Sequence, residues 1–112
     1  MAWLRNWHDT NEPGADPGPL DLPLPLDLAL AQVESAIRLL PRWRIESSDA
    51  AAGTIHATRR TRIFRFTDDV TIQLEPIVSG TRIHARSKSR VGASDFGQNR
   101  RNVRELFAVL RT

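Results

Sequence analysis

Five of the chain's seven prolines stand between Asn11 and Pro25, at positions 13, 17, 19, 23 and 25, with Gly14 and Gly18 among them. Proline lacks a backbone donor and fixes φ, so this stretch cannot form a helix and is expected to be extended or disordered. It divides the chain into an N-terminal tail, residues 1–25, and a domain, residues 26–112. The PLDLPLPL piece carries Leu20, Leu22, Leu24 and Leu26, four leucines that a free tail would expose to water. Packing along the chain's own domain in an extended or polyproline form removes that exposure. Trp3 and Trp7 precede it, as a partner anchor or as a fold-back onto the core.

The remaining length suits a single small globular domain with a modest core, one that buries roughly 60–65% of its unfolded surface. There is no cysteine, so disulfides, a thiol nucleophile and a thiolate metal site are excluded. No run approaches the ~18 apolar residues of a membrane-spanning helix, and the first residues lack the apolar centre of a secretory signal. A cytoplasmic location is expected on that basis.

The net charge of +3 conceals an asymmetry. Residues 1–58 carry four arginines against eight acids, and residues 59–112 carry twelve basic residues against five acids. Of sixteen basic residues only Lys88 is lysine. Arginine favours planar, bidentate pairing with carboxylate or phosphate, although a codon preference of the genome is the plainer explanation.

Within the domain, Leu30, Val33, Ile37 and Leu40 recur at helical spacing, with Asp27 as the expected N-cap and Pro41 as the stop. Strand-like segments follow at 43–46 and 53–58, joined by SSDAAAG as a hairpin connection. The run from Arg59 to Phe66 slips phase near Thr61–Ile63, which predicts a β-bulge. Thr67, Asp68 and Asp69 read as a tight turn, Val70, Ile72 and Leu74 as one face of a strand, and Pro76 to Gly80 as another turn. The last strand, 81–87, has Ile83 and Ala85 inward and Arg82, His84 and Arg86 outward. A final helix is expected from a Ser94 cap, with Phe96, Val103, Leu106, Phe107 and Leu110 as its buried stripe and Arg100, Arg104 and Arg111 on a solvated face. This order predicts an α+β, two-layer domain in which a curved antiparallel sheet of about four to five strands carries an N-terminal and a C-terminal helix on one face.

The segment ARSKSRVGASDFGQNRR, from Ala85 to Arg101, gathers serines, glycines and guanidiniums between the end of a strand and the start of a helix. Together with TRIFRFTDDVTIQL, Thr61–Leu74, it makes a double motif. On that motif the chain resembles the bacterial and plastid domain-of-unknown-function family 1499. The resemblance covers roughly half the chain and implies no reaction, cofactor or substrate; family members are often secreted or membrane-attached.

An anion site is one chemistry that these residue types allow. Backbone N–H groups around Gly92–Gly97, the hydroxyls of Ser87, Ser89 and Ser94, and the first helical turn would receive a phosphate or carboxylate clamped by Arg86, Arg90 or Arg101. Arg62, Asp68, Asp69, Asp95, Asn99 and Arg100 would support it. Asp95 opposes this in part, because a carboxylate in the first turn already complements the helix dipole.

The alternative without a ligand is a partly buried network in which Asp68, Asp69 and Asp95 pair with Arg62, Arg86, Arg90 and Arg100. An acid–base or metal set built from Asp68, Asp69 and His56 or His84 is a further reading, but the histidines have no ligand spacing and there is no nucleophile elbow or phosphate loop. A nucleic-acid strip of Arg59, Arg60, Arg62, Arg65, Arg82 and Arg86 with Phe64 and Phe66 is another, without a recognised nucleic-acid signature. The expectation from sequence is a non-catalytic binding or interaction module with no metal and no cofactor. Its partner would be a small anionic ligand or another protein.

Overall fold

The computed structural model describes residues 5–62, 66–91 and 95–112. The sequence readings for Trp3, Ile63, Phe64, Arg65, Gly92 and Ser94 fall outside these residues. In chain order the elements are β1 (Trp7–Asp9), β2 (Leu20–Leu22), α1 (Leu26–Leu39), β3 (Trp43–Asp49), β4 (Thr54–Arg60), β5 (Thr67–Ile77), β6 (Gly80–Ser89) and α2 (Gln98–Leu110). The class is α+β, with one antiparallel sheet ordered β1-β6-β5-β4-β3 and β2 also paired to β6.

The sheet therefore has six strands rather than four to five. The two additional strands come from the proline-rich N-terminal segment. Trp7–Asp9 pairs with Arg86–Lys88, and Leu20–Leu22 pairs with Thr81–Ile83, so both short strands lie along the outer edge of β6. Proline is compatible with edge strands because no partner on the far side needs its missing donor. Polar contacts fasten the intervening segment. The buried His8 donates from Nε2 to the Pro17 carbonyl at 2.9 Å, and Thr10 accepts from the Ala85 amide at 3.0 Å. Trp7 is half-buried; its indole donates to Glu12 at 2.6 Å, and Arg5 stacks over its ring.

Strict alternation builds the core. Val70, Ile72 and Leu74 of β5, Ile83 and Ala85 of β6, and Ile55 and Ala57 of β4 are buried, and they join Ala29, Val33, Ala36 and Ile37 of α1 and Val103, Leu106, Phe107 and Leu110 of α2 in one cluster. Each valine, leucine, isoleucine or phenylalanine among them contributes about 1.5–3 kcal/mol on leaving water, and each alanine less. Leu30 and Leu40, expected in the α1 stripe, are only half-buried, and the smaller Ala29 and Ala36 take the closest positions to the sheet.

Several local expectations are corrected. The α1 N-cap is Pro25, not Asp27, whose side chain accepts from the next amide within the first turn. The phase slip near Thr61 is the connection from β4 to β5. There the Thr61 amide donates to the Phe66 carbonyl, and its hydroxyl accepts from the Phe66 amide at 2.8 Å. The register break lies instead in β3, between Ile45 and Ser47. Thr67, Asp68 and Asp69 are not a turn but the first residues of β5, paired with Arg60, Arg59 and Thr58. Burial and cross-strand pairing override their turn propensity. The N-cap of α2 is Gly97, in the left-handed region at φ 81, rather than Ser94. Phe96, placed by periodicity in the buried stripe, precedes the helix and is 72% exposed.

Candidate functional site

Three strand positions beside the start of α2 are polar where the pattern of β5 and β6 places core residues. Asp68 is 1% exposed, Ser87 is fully buried, and Ser89 is buried. Opposite them, α2 presents Asn99 and Asn102, both fully buried. These five side chains close a ring. Asn102 Nδ2 donates to Asp68 Oδ2 at 2.8 Å and to Ser87 Oγ at 3.1 Å. Ser87 Oγ donates to Asn99 Oδ1 at 2.6 Å, and Asn99 Nδ2 donates to Ser89 Oγ at 2.9 Å. Ser89, the cross-strand partner of Asp68, completes the ring beside its carboxyl. Asp68 is the one member that, when ionised, accepts only.

Burial pushes the Asp68 carboxyl above its ordinary range, against the pull of the hydrogen bonds from Asn102 and Ser89 and of the nearby Arg59 charge. The ring is anchored further. Asn99 Nδ2 also donates to the Asn6 carbonyl at 2.8 Å, tying α2 to the N-terminal segment. Asp95 accepts from the Gly97 amide at 2.8 Å and the Asn99 amide at 3.0 Å, satisfying orphan donors of the first helical turn. Below the ring, Arg59 is 8% exposed along its side chain and lies 3.6 Å from Glu105 of α2. Glu105 also accepts from the Trp43 indole.

Alternation sends the neighbouring residues to the other side of the strands. Asp69 holds Arg90 in a bidentate pair, Nε to Oδ2 and Nη2 to Oδ1, each at 2.9 Å, and receives His56 Nε2 at 3.0 Å. The Arg90 guanidinium, then His56, hold the Asp69 carboxyl below the ordinary range. Beside this pair runs a groove of about 470 Å³ whose lining includes Arg42, Arg44, Arg60, Arg90 and His56, with Glu46 as its one carboxylate. Among the described residues, no acid lies within ion-pair distance of Arg42, Arg60, Arg62, Arg86 or Lys88. A second groove, of about 420 Å³, shares Arg90 and adds Arg86 and Lys88.

The residues singled out from sequence therefore separate into groups. Ser87, Ser89, Asp68, Asp95 and Asn99 come together in or beside the buried ring. Arg86, Arg90 and Asp69 belong to the opposite face, where Ser89 also lines the groove that holds Arg86 and Arg90. Arg100 pairs with Asp16 at 2.8 Å, and Arg101 donates to the Phe96 carbonyl at 3.1 Å. Arg62 is exposed in the connection after β4. Asp68 and Asp69 point to opposite sides. His56 meets only the outer of the two, and His84 stands between Asn11 at 2.6 Å and Glu75 at 2.8 Å, so the acid–base set does not converge.

Sequence reasoning missed Asn102, Glu105, Arg42 and Arg44. Asn99 and Asn102 precede Val103 and Leu106 by four residues each, which places them on the buried stripe of α2. That spacing was the available signal. Arg42 and Arg44 lie beyond the helix-stopping Pro41 and carry no comparable mark.

A small α+β domain with a polar ring locking its last helix to an antiparallel sheet is the class these features define. The family described as Protein of unknown function (DUF1499) matches residues 8–110, and the chain belongs to that family. The match takes in β2 and most of β1. No curated protein and no solved structure matches the chain.

Proposed function

We propose that this protein is a non-catalytic binding module that holds an anionic group, phosphate or carboxylate, on the open face of its sheet. The reading takes α1 and α2 to cover the face carrying Val70 and Ile83, which leaves the face of Asp69 and Arg86 to solvent. One observation carries it: four exposed guanidiniums, Arg42, Arg44, Arg60 and Arg90, surround a single groove in which Glu46 is the one carboxylate. Like charges so gathered repel one another, and an incoming anion relieves that repulsion while accepting paired N–H donors. Arg90 is held in position by Asp69, whereas Arg42 and Arg60 are available for contact.

Ser87 and Ser89 belong to the buried ring in this reading and do not touch the ligand. Their part is to fix the end of β6, and with it Arg90. The test is a thermal-shift titration of the native protein and Arg60→Ala with inorganic phosphate, pyrophosphate and citrate. A ligand present at about a hundredfold over its Kd stabilises by about 2.7 kcal/mol, a shift of several degrees. The expected result is a shift in the native protein that is reduced in the variant. No shift with any anion, or an equal shift in both proteins, would sink the proposal.

A further inference from the structure

The helix layer carries a groove of its own, of about 510 Å³, along the exposed side of α1. One wall is α1 itself, through Leu28, Ala31, Gln32, Ser35, Ala36 and Leu39; Leu24, Val109, Leu110 and Thr112 close the other. Leu28, 53% exposed, and Leu39, 76% exposed, are the large apolar residues that α1 leaves to water. They stand eleven residues apart, three turns and about 16 Å, and so lie on one line along the helix. The spacing of these wall residues is that of any helical face. Their kinds are particular: from either end the wall runs leucine, alanine, polar residue, polar residue, alanine, leucine. A face in that order matches itself when a second copy is turned end for end. Leu28 then meets the partner's Leu39, Ala31 meets the partner's Ala36, and the Gln32 amide meets the partner's Ser35 hydroxyl. The alanines between the leucines let the two helices approach closely.

We propose that the protein forms a two-fold dimer through this groove, with α1 of one copy lying antiparallel to α1 of the other. Charge selects the same arrangement. Asp27 and Arg38 each precede one of the two leucines, so both stand on one flank of the wall, and both are exposed. Antiparallel pairing brings Asp27 beside the partner's Arg38, and the symmetry repeats that contact. Parallel pairing would instead set like charge against like. Within the chain Arg38 reaches Glu34 at 3.9 Å, the outer limit of an ion pair, which leaves its guanidinium open to a second carboxylate. One helix face and the tail of α2 on each side put the contact at the small end of interface sizes, below about 1,200 Å² in total. A dimer of that size separates on dilution, with a dissociation constant on the order of 100 μM. The open face of the sheet takes no part in it.

The test is sedimentation equilibrium of the native protein over about a hundredfold range of concentration around that constant. Ala31→Glu, Arg38→Glu and the double variant Asp27→Lys/Arg38→Glu are run beside it, all with melting curves at the dilute end. Ala31 is exposed and glutamate suits a helix, so Ala31→Glu should melt with the native protein. The expected result is a native monomer that becomes a dimer as concentration rises. The dissociation constant should rise about tenfold in Ala31→Glu and about fivefold in Arg38→Glu, and return to within about twofold of native in the double variant. A native protein that stays monomeric throughout overturns the inference, and so does equal association by the native and Ala31→Glu proteins, which would put the contact elsewhere. A double variant that associates no better than Arg38→Glu overturns it too, because the antiparallel pairing of Asp27 with Arg38 is then absent.

Discussion

Asp68 and Asp69 are adjacent in sequence and opposite in physical circumstance. Burial raises the pKa of the first, while the Arg90 pair lowers that of the second. For Asp68 the folded state binds the proton more tightly than the unfolded state, so its contribution to stability is greatest in acid and declines as pH rises from the ordinary value of 3.8 through the raised one. Asp69 contributes in the other sense: its stabilisation is present above 3.8 and fades as pH falls through the lowered value. Replacing Asp68 with Asn puts an amide donor against the donors of Asn102 and Ser89. We expect a loss of about 1–3 kcal/mol at neutral pH. The gap between native and variant proteins should widen in acid, where the native carboxyl takes its proton. Urea unfolding at pH 4 and pH 7 measures both; a gap that narrows in acid would mean that Asp68 is not held above its ordinary pKa.

At the scale of elements, the hairpin from β5 to β6 lies directly against the N-terminal segment. Gly80 opens β6 with φ 150, and a Cβ there would meet the Leu22 carbonyl oxygen at 2.1 Å and the Pro23 Cα at 3.0 Å. Both obstacles are backbone, so relief requires moving β2 away. Gly80→Ala should cost about 1–3 kcal/mol and release the contacts of Thr81 with Leu24, where the hydroxyl donates to the carbonyl at 2.8 Å. Hydrogen exchange would report this as lost protection at the β2–β6 pairing while β4 and β5 stay protected. Unchanged protection there would show that the segment is held by its leucines and not by close backbone approach.

The parts of these elements that sequence made legible were those built on repetition. Val70, Ile72 and Leu74, and Ile83 and Ala85, alternate as they pack. Positions where a polar residue occupies a core slot were read as turn or loop, because Asp68 and Ser89 carry local preferences that only a partner from α2 can override. The same limit hid the site. Arg42, Arg44, Arg60 and Arg90 come from two strands and two connections, and nothing short of the strand order puts them round one groove.

For the whole molecule, the N-terminal segment decides where the sheet ends. β1 and β2 satisfy the outer edge of β6, so removing residues 1–21 would leave that strand's backbone groups open along most of its length. The truncated chain should self-associate at concentrations where the full chain does not, as size-exclusion with light scattering would reveal. A monodisperse truncated protein that melts cooperatively would instead make the segment an accessory to an already complete sheet.

The opposite border is β3, and there the protection is of another kind. Its backbone changes register between Ile45 and Ser47, and every residue from Glu46 to Asp49 is exposed and polar. A strand offered by a second molecule would find hydrogen-bonding groups that fall out of step with its own after Ile45, and only polar side chains beyond it. Among the described residues no strand pairs with this border, and one misaligned residue makes it a poor template for strand addition.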